Sequence, residues 1–120
     1  MKLTKSEIEV MDVFWNAQKP LCRSDLLELS GDKNWKDSSV YILLNDMLKK
    51  GVIREAGYIK RSKTYGRTFE PTLSREQYHV ASVFAHRTKP DIVALVEALL
   101  ERHDITAEQM EKIKALVNNK

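Results

Sequence analysis

The chain has 120 residues, 42% hydrophobic and 31% charged, which fits one compact domain, or a domain with a dependent appendage, and argues against two independent domains. It holds no run of about 18 apolar residues and no charged-then-apolar leader, so neither a membrane span nor a secretory signal is expected, and the expected location is cytoplasmic. The net charge of +3 hides a local excess: residues 49–67 carry 7 basic groups against Glu55 alone, whereas acidic groups slightly outnumber basic ones on either side. A concentrated positive segment is the footprint expected where a protein meets a polyanion. A single cysteine, Cys22, cannot form an internal disulfide or supply a cysteine cluster for a metal, and is expected to be a small, partly buried thiol.

In chain order, Thr4-Lys5-Ser6-Glu7 forms a capping box, and Ile8, Met11, Phe14 and Trp15 follow at helical spacing, so a first helix is predicted over residues 5–16, stopped by Lys19-Pro20. A short second helix is predicted over residues 22–30, with Leu26 and Leu27 inward and Gly31 past its end. The third has the clearest pattern: Val40, Leu43, Leu44, Met47 and Leu48 share one face, and Gly51 stands where a helix C-terminus favours it. The opposite face presents Ser38, Ile42, Asn45 and Lys49, flanked by Tyr41 and Asp46. From Val52 the period shifts toward two, which predicts an antiparallel hairpin to Pro71, turning near residues 61–63, with bulges at Gly57 and Gly66. Ser74 and Gln77 cap a helix expected to reach residue 87. Pro90 opens another carrying Ile92, Val93, Leu95, Val96, Leu99 and Leu100, and Thr106 and Gln109 cap a last one carrying Met110, Ile113, Leu116 and Val117.

The expected fold class is therefore mainly α with a small β-hairpin: a winged helix-turn-helix domain over residues 1–73, followed by a helical dimerisation region over residues 74–120. In a winged helix the third helix enters the major groove and the hairpin lies along the phosphate backbone. Small polar side chains on the helix approach base edges, and cations on the hairpin neutralise phosphates. The C-terminal helices carry more apolar surface than so short a segment can bury on its own, so Ile92, Val93, Val96, Leu99, Leu100, Met110, Ile113, Leu116 and Val117 are expected to meet a second copy, with folding back on their own winged domain as the alternative. Two-fold pairing implies a palindromic operator with half-sites about 34 Å apart.

The segments 3–15 (Leu-Thr-Lys-Ser-Glu-Ile-Glu-Val-Met-Asp-Val-Phe-Trp), 48–53 (Leu-Lys-Lys-Gly-Val-Ile) and 95–113 resemble the penicillinase-repressor family, and the resemblance runs over essentially the whole chain. It implies a homodimeric winged-helix repressor of double-stranded DNA, often released when a membrane-bound metalloprotease sensor triggers its cleavage, or in some relatives by copper. The third helix departs from the family's Lys-Thr-Val-Arg-Thr-Leu type of segment, reading Ser38-Ser39-Val40-Tyr41-Ile42-Leu43, and Asp46 stands where a basic residue is common. By position, Ser38, Ser39, Tyr41 and Ile42 would face the groove, with Asn45 able to pair with adenine. The hairpin is longer than is usual and holds Lys60, Arg61, Lys63 and Arg67, so backbone binding is expected to have moved from the helix to the wing. Ala98-Leu99 replaces the Asn-Phe bond of the cleaved relatives, and the paired-cysteine copper motif is absent, which leaves the inducing signal and any upstream protease or sensor open.

No enzyme is expected, and no cofactor or metal. His79 and His86 lack a third ligand, and Ser24 with Asp25, or Glu97 and Glu101 with His103, come without a nucleophile elbow or a phosphate-cradling loop. Phe14, Trp15 and Met47 are assigned to packing. Trp35 is assigned to packing as well, with a contact to the DNA backbone as its alternative. The alternative function on the same fold is a protein-interaction module in which Tyr41 and Ile42 form a binding surface and Asp37 and Asp46 keep DNA away.

Overall fold

The structure, a computed structural model, describes residues 2–61 and 64–120. These divide into two compact units, residues 1–85 and 86–120. The first unit opens with α1 (Lys5–Ala17), where the Thr4 hydroxyl accepts the Glu7 N–H and the Glu7 carboxylate accepts the Thr4 N–H. The reciprocal bonds satisfy two of the donors that every helix start leaves open. Gln18 ends α1 in the left-handed conformation at φ 55° and returns its N–H to the Phe14 carbonyl.

Leu21 and Cys22 then form β1, an element the sequence does not announce, immediately before α2 (Arg23–Leu29). A 3-10 turn, Asp37–Ser39, leads into α3 (Val40–Lys49). Ser38 and Ser39 therefore precede the third helix, since its first hydrogen-bonded α-turn begins at Val40. Gly51, at φ 76°, reverses the chain after α3, and the Val52 N–H reaches back to the Met47 carbonyl.

The hairpin consists of β2 (Ile53–Arg61) and β3 (Thr64–Pro71). It becomes a three-stranded antiparallel sheet of order β1-β3-β2, because Leu21 pairs with Phe69 and Cys22 with Thr68. The bulge falls between Glu55 and Gly57, whereas Gly66 pairs regularly with Ile59. The bulge expected at Gly66 is thus replaced by a close approach of strands, since a Cβ there would stand 3.5 Å from the Cys22 Cβ. Residues 62 and 63, where the turn was expected, lie outside the described residues.

The core gathers Val10, Met11 and Phe14 from α1, Leu21, Leu26, Trp35, Val40, Leu44 and Met47 from the helix pair and its approach, and Val52, Ile53 and Phe69 from the sheet. Cys22 is fully buried and donates its thiol to Asp25 at 3.3 Å. A fourth helix, α4 (Arg75–Val83), belongs to this unit as well. It is held against α1 where Trp15 Nε1 donates to the Leu73 carbonyl at 2.9 Å, Trp15 and Tyr78 place their rings 5.8 Å apart, and Arg75 donates to Asn16. α4 stops at Val83, short of the expected residue 87, with Phe84 leaving the helical conformation as its C-cap and its N–H still returned to the Val80 carbonyl. The second unit holds α5 (Ile92–Leu100), capped by the Asp91 carboxylate rather than begun at Pro90, and α6 (Ala107–Asn118), capped by Thr106 and Gln109. Among the described residues no helix is long and apolar enough to cross a membrane.

Three helices followed by an antiparallel hairpin whose far strand is held by a short third strand is a winged helix, and the molecule is mainly helical.

Candidate nucleic-acid interface

The pose of α3 is fixed at both ends. Before it, Trp35 is buried and packs into the core, and the Lys33 ammonium lies 5.1 Å from its ring while bonding Asp37 at 2.6 Å. That burial gives Trp35 a packing role. Its indole N–H finds no hydrogen-bond partner among the described residues. At the far end, the Lys50 ammonium donates to Glu7 at 2.5 Å, tying the close of α3 to the first turn of α1. Glu7 is 1% exposed. Its burial pushes its pKa up, but the Lys50 ammonium and the Thr4 N–H and hydroxyl outweigh that and hold it below the usual carboxylate range.

Between those anchors, Val40, Leu44 and Met47 point into the core, and the other side of α3 is solvent-exposed. Tyr41 is 53% and Ile42 65% exposed, and Asn45, Asp46 and Lys49 are exposed beside them. Ser38 is exposed on the preceding turn and Ser39 is half-buried there. The structure thus brings Ser38, Tyr41, Ile42, Asn45 and Lys49 to one exposed face of the α3 region. A side chain the sequence reading did not single out joins them: the Arg23 guanidinium, from the start of α2, lies 4.4 Å from the centroid of the Tyr41 ring. No local pattern could reveal that contact, because it depends on the packing of two helices separated by a loop.

The wing is basic, but part of its charge is paired. Arg54 meets Glu70, its register partner across the strands, at 2.9 Å. Arg67 pairs with Glu55 and also lies 5.2 Å from the Phe69 ring. Lys60 is exposed near the end of β2, and Arg61 closes that strand. Lys63 lies outside the described residues. Tyr58 adds an aromatic ring at 71% exposure among these cations.

In the second unit, Ile92, Val93, Val96 and Leu99 on α5 and Leu116 and Val117 on α6 are 43–68% exposed, while Leu100, Met110 and Ile113 are half-buried. Such a concentration of exposed aliphatic side chains on two short helices exceeds the scatter normal on a soluble surface. Among the described residues no three His, Cys, Asp or Glu side chains converge to hold a metal ion.

A family model described as penicillinase repressor matches residues 3–119 of this chain. The methicillin resistance regulatory protein MecI of Staphylococcus aureus is 22% identical over 120 residues, covering 99% of this chain and 95% of that protein. MecI of Mammaliicoccus sciuri is 21% identical with the same coverage. Among solved structures, the adhesin competence repressor AdcR of Streptococcus pyogenes aligns with 98% of this chain and 77% of its own, at 18% identity and a TM-score of 0.47.

Proposed function

The chain belongs to the penicillinase-repressor family of transcriptional repressors, and from that premise we propose that it represses as a homodimer on a palindromic operator. The observation that carries the DNA-reading part is the exposed face of α3, with Tyr41, Ile42 and Asn45 outward and the helix fixed at both ends. Ser38 donates or accepts at a base edge, Ile42 packs on a thymine methyl, and Asn45 pairs with adenine, while Lys49 and the wing cations Lys60, Arg61, Lys63 and Arg67 meet phosphates. Residues 1–73 form the DNA-binding part and residues 74–120 the dimerising part. The exposed aliphatic side chains of α5 and α6 support the second assignment, since a second copy is the economical way to cover them.

The test is fluorescence-anisotropy binding of the purified protein to DNA from upstream of its own gene and to a shuffled duplex, at low and near-physiological salt. A preference of about 10³ or more for the native sequence is the expected result. Equal weak binding to both duplexes, or none, would move the function to protein contacts through Tyr41 and Ile42. Replacing Lys60, Arg61 and Lys63 by Gln is expected to weaken both duplexes and flatten the dependence of affinity on salt by about one power for each phosphate left unneutralised. An unchanged slope would show that the wing does not carry the backbone contacts.

A further inference from the structure

The N-terminal half of α3, Val40 to Leu44, carries no basic side chain, although it lies on the face assigned to DNA. A cation from another helix reaches it. Arg23 is exposed at the start of α2, and its guanidinium carbon sits 4.4 Å from the Tyr41 ring centroid, within the range of a cation–π contact. The wing arginines Arg54 and Arg67 each meet a carboxylate, Arg67 in addition to the Phe69 ring. Those carboxylates, of Glu70 and Glu55, oppose their charge. An aromatic face restrains a guanidinium without neutralising it, and leaves its other N–H groups able to donate in the fork geometry that suits a phosphate. The ring also reduces the side-chain freedom that a long, solvated arginine would lose on binding. In helix-turn-helix docking, the helix before the recognition helix is the one that crosses the backbone.

We propose that Arg23 is a phosphate-binding residue of this interface and that Tyr41 is its positioning partner, which rests on the DNA-binding reading above. Arg23 donates to a phosphate that flanks the base edges met by Ile42 and Asn45. Tyr41 holds the guanidinium there before DNA arrives, so that one cation on α2 serves the part of α3 that has none of its own.

The experiment compares the full chain with Arg23→Gln, Arg23→Lys, Tyr41→Leu and the Arg23→Gln/Tyr41→Leu double variant, on the upstream duplex and its shuffled control across a salt series. Both positions are exposed, and thermal melts confirm that each variant folds. Arg23→Gln is expected to weaken both duplexes about equally, by about three- to tenfold, and to lower the salt slope by about one. Arg23→Lys keeps the charge without the planar fork and falls between Arg23→Gln and wild type. Tyr41→Leu weakens binding at least threefold more when Arg23 is present than when it is Gln, the non-additivity that marks a coupled pair. An unchanged slope in Arg23→Gln, a loss confined to the upstream duplex, or additive effects in the double variant would overturn the proposal. Wild-type protein that prefers neither duplex overturns the DNA reading itself and this inference with it. A selective wild type with an unaffected Arg23→Gln overturns this inference alone.

Discussion

Glu7 is a carboxylate in the interior of the first unit, and its position makes the pose of α3 depend on charge. One side chain caps α1 through Thr4 and receives the Lys50 ammonium from the end of α3. Removing one member of such a buried pair costs more than the pair itself contributes, because the remaining group keeps its desolvation without its partner. Lys50 is part-exposed, which moderates that cost, so Glu7→Gln is expected to destabilise the protein by about 2 kcal/mol at neutral pH. The carboxyl's pKa in the folded protein lies below its ordinary value of 4.5. Its contribution is therefore fully present above that ordinary value and is lost as pH falls through the folded-state value. Urea unfolding of wild type and Glu7→Gln from neutral to acid pH should show the two converging only in the acid range. A gap that stays constant would mean that the carboxyl's charge is not what stabilises the site. The Thr4–Glu7 capping box is readable from four adjacent residues, but the partner on α3 is not, because nothing local to Lys50 distinguishes it from Lys49.

At the level of elements, the two glycines of the hairpin have different reasons to be there. Gly57 sits at the bulge with φ 149°, a backbone conformation L side chains rarely adopt, and a Cβ there would lie 3.9 Å from the Thr68 hydroxyl. Gly66 is regularly paired, and a Cβ there would meet the Cys22 Cβ at 3.5 Å, an ordinary van der Waals distance. Gly57→Ala is thus expected to cost about 1–3 kcal/mol through backbone strain, and Gly66→Ala about 0.5 kcal/mol or less. Thermal denaturation of the two variants checks the contrast, and equal losses would show that space rather than conformation sets the cost. The same sheet shows where sequence patterns stop. The β-branched and aromatic side chains of Ile53, Tyr58, Ile59, Thr68 and Phe69 reveal two strands, since enrichment in such residues is a local signal. β1 is only two residues long and exists because β3 offers it a free edge, so its signal lies in the pairing and not in Leu21-Cys22 themselves. Helix starts were legible for a related reason: the boxes at Thr4, Ser74 and Thr106 are complete within four residues. The end of α4 was not, because the chain between it and Pro90 holds no glycine or proline to mark a stop.

For the whole molecule, the first unit buries a continuous core, whereas α5 and α6 leave six large aliphatic side chains in solvent. Burying even half of such side chains contributes about 1 kcal/mol each, enough in sum to drive association at micromolar concentration once orientational costs are met. In the proposed dimer those faces are the interface, and they also determine how tightly the operator is held. Two linked reading heads gain the effective concentration of the second site once the first is engaged, which can raise affinity by about 10². Val96→Glu combined with Leu116→Glu places a carboxylate on each helix of the exposed surface. Sedimentation is expected to change from dimer to monomer, with the melt of the winged unit preserved. Affinity for the palindromic duplex should then fall by about 10² while binding to a single half-site stays nearly unchanged. If the double variant still sediments as a dimer, the aliphatic faces of α5 and α6 are not the contact between copies. If it becomes monomeric yet holds the full operator as tightly as before, dimerisation does not set the affinity, and one reading head with its wing suffices.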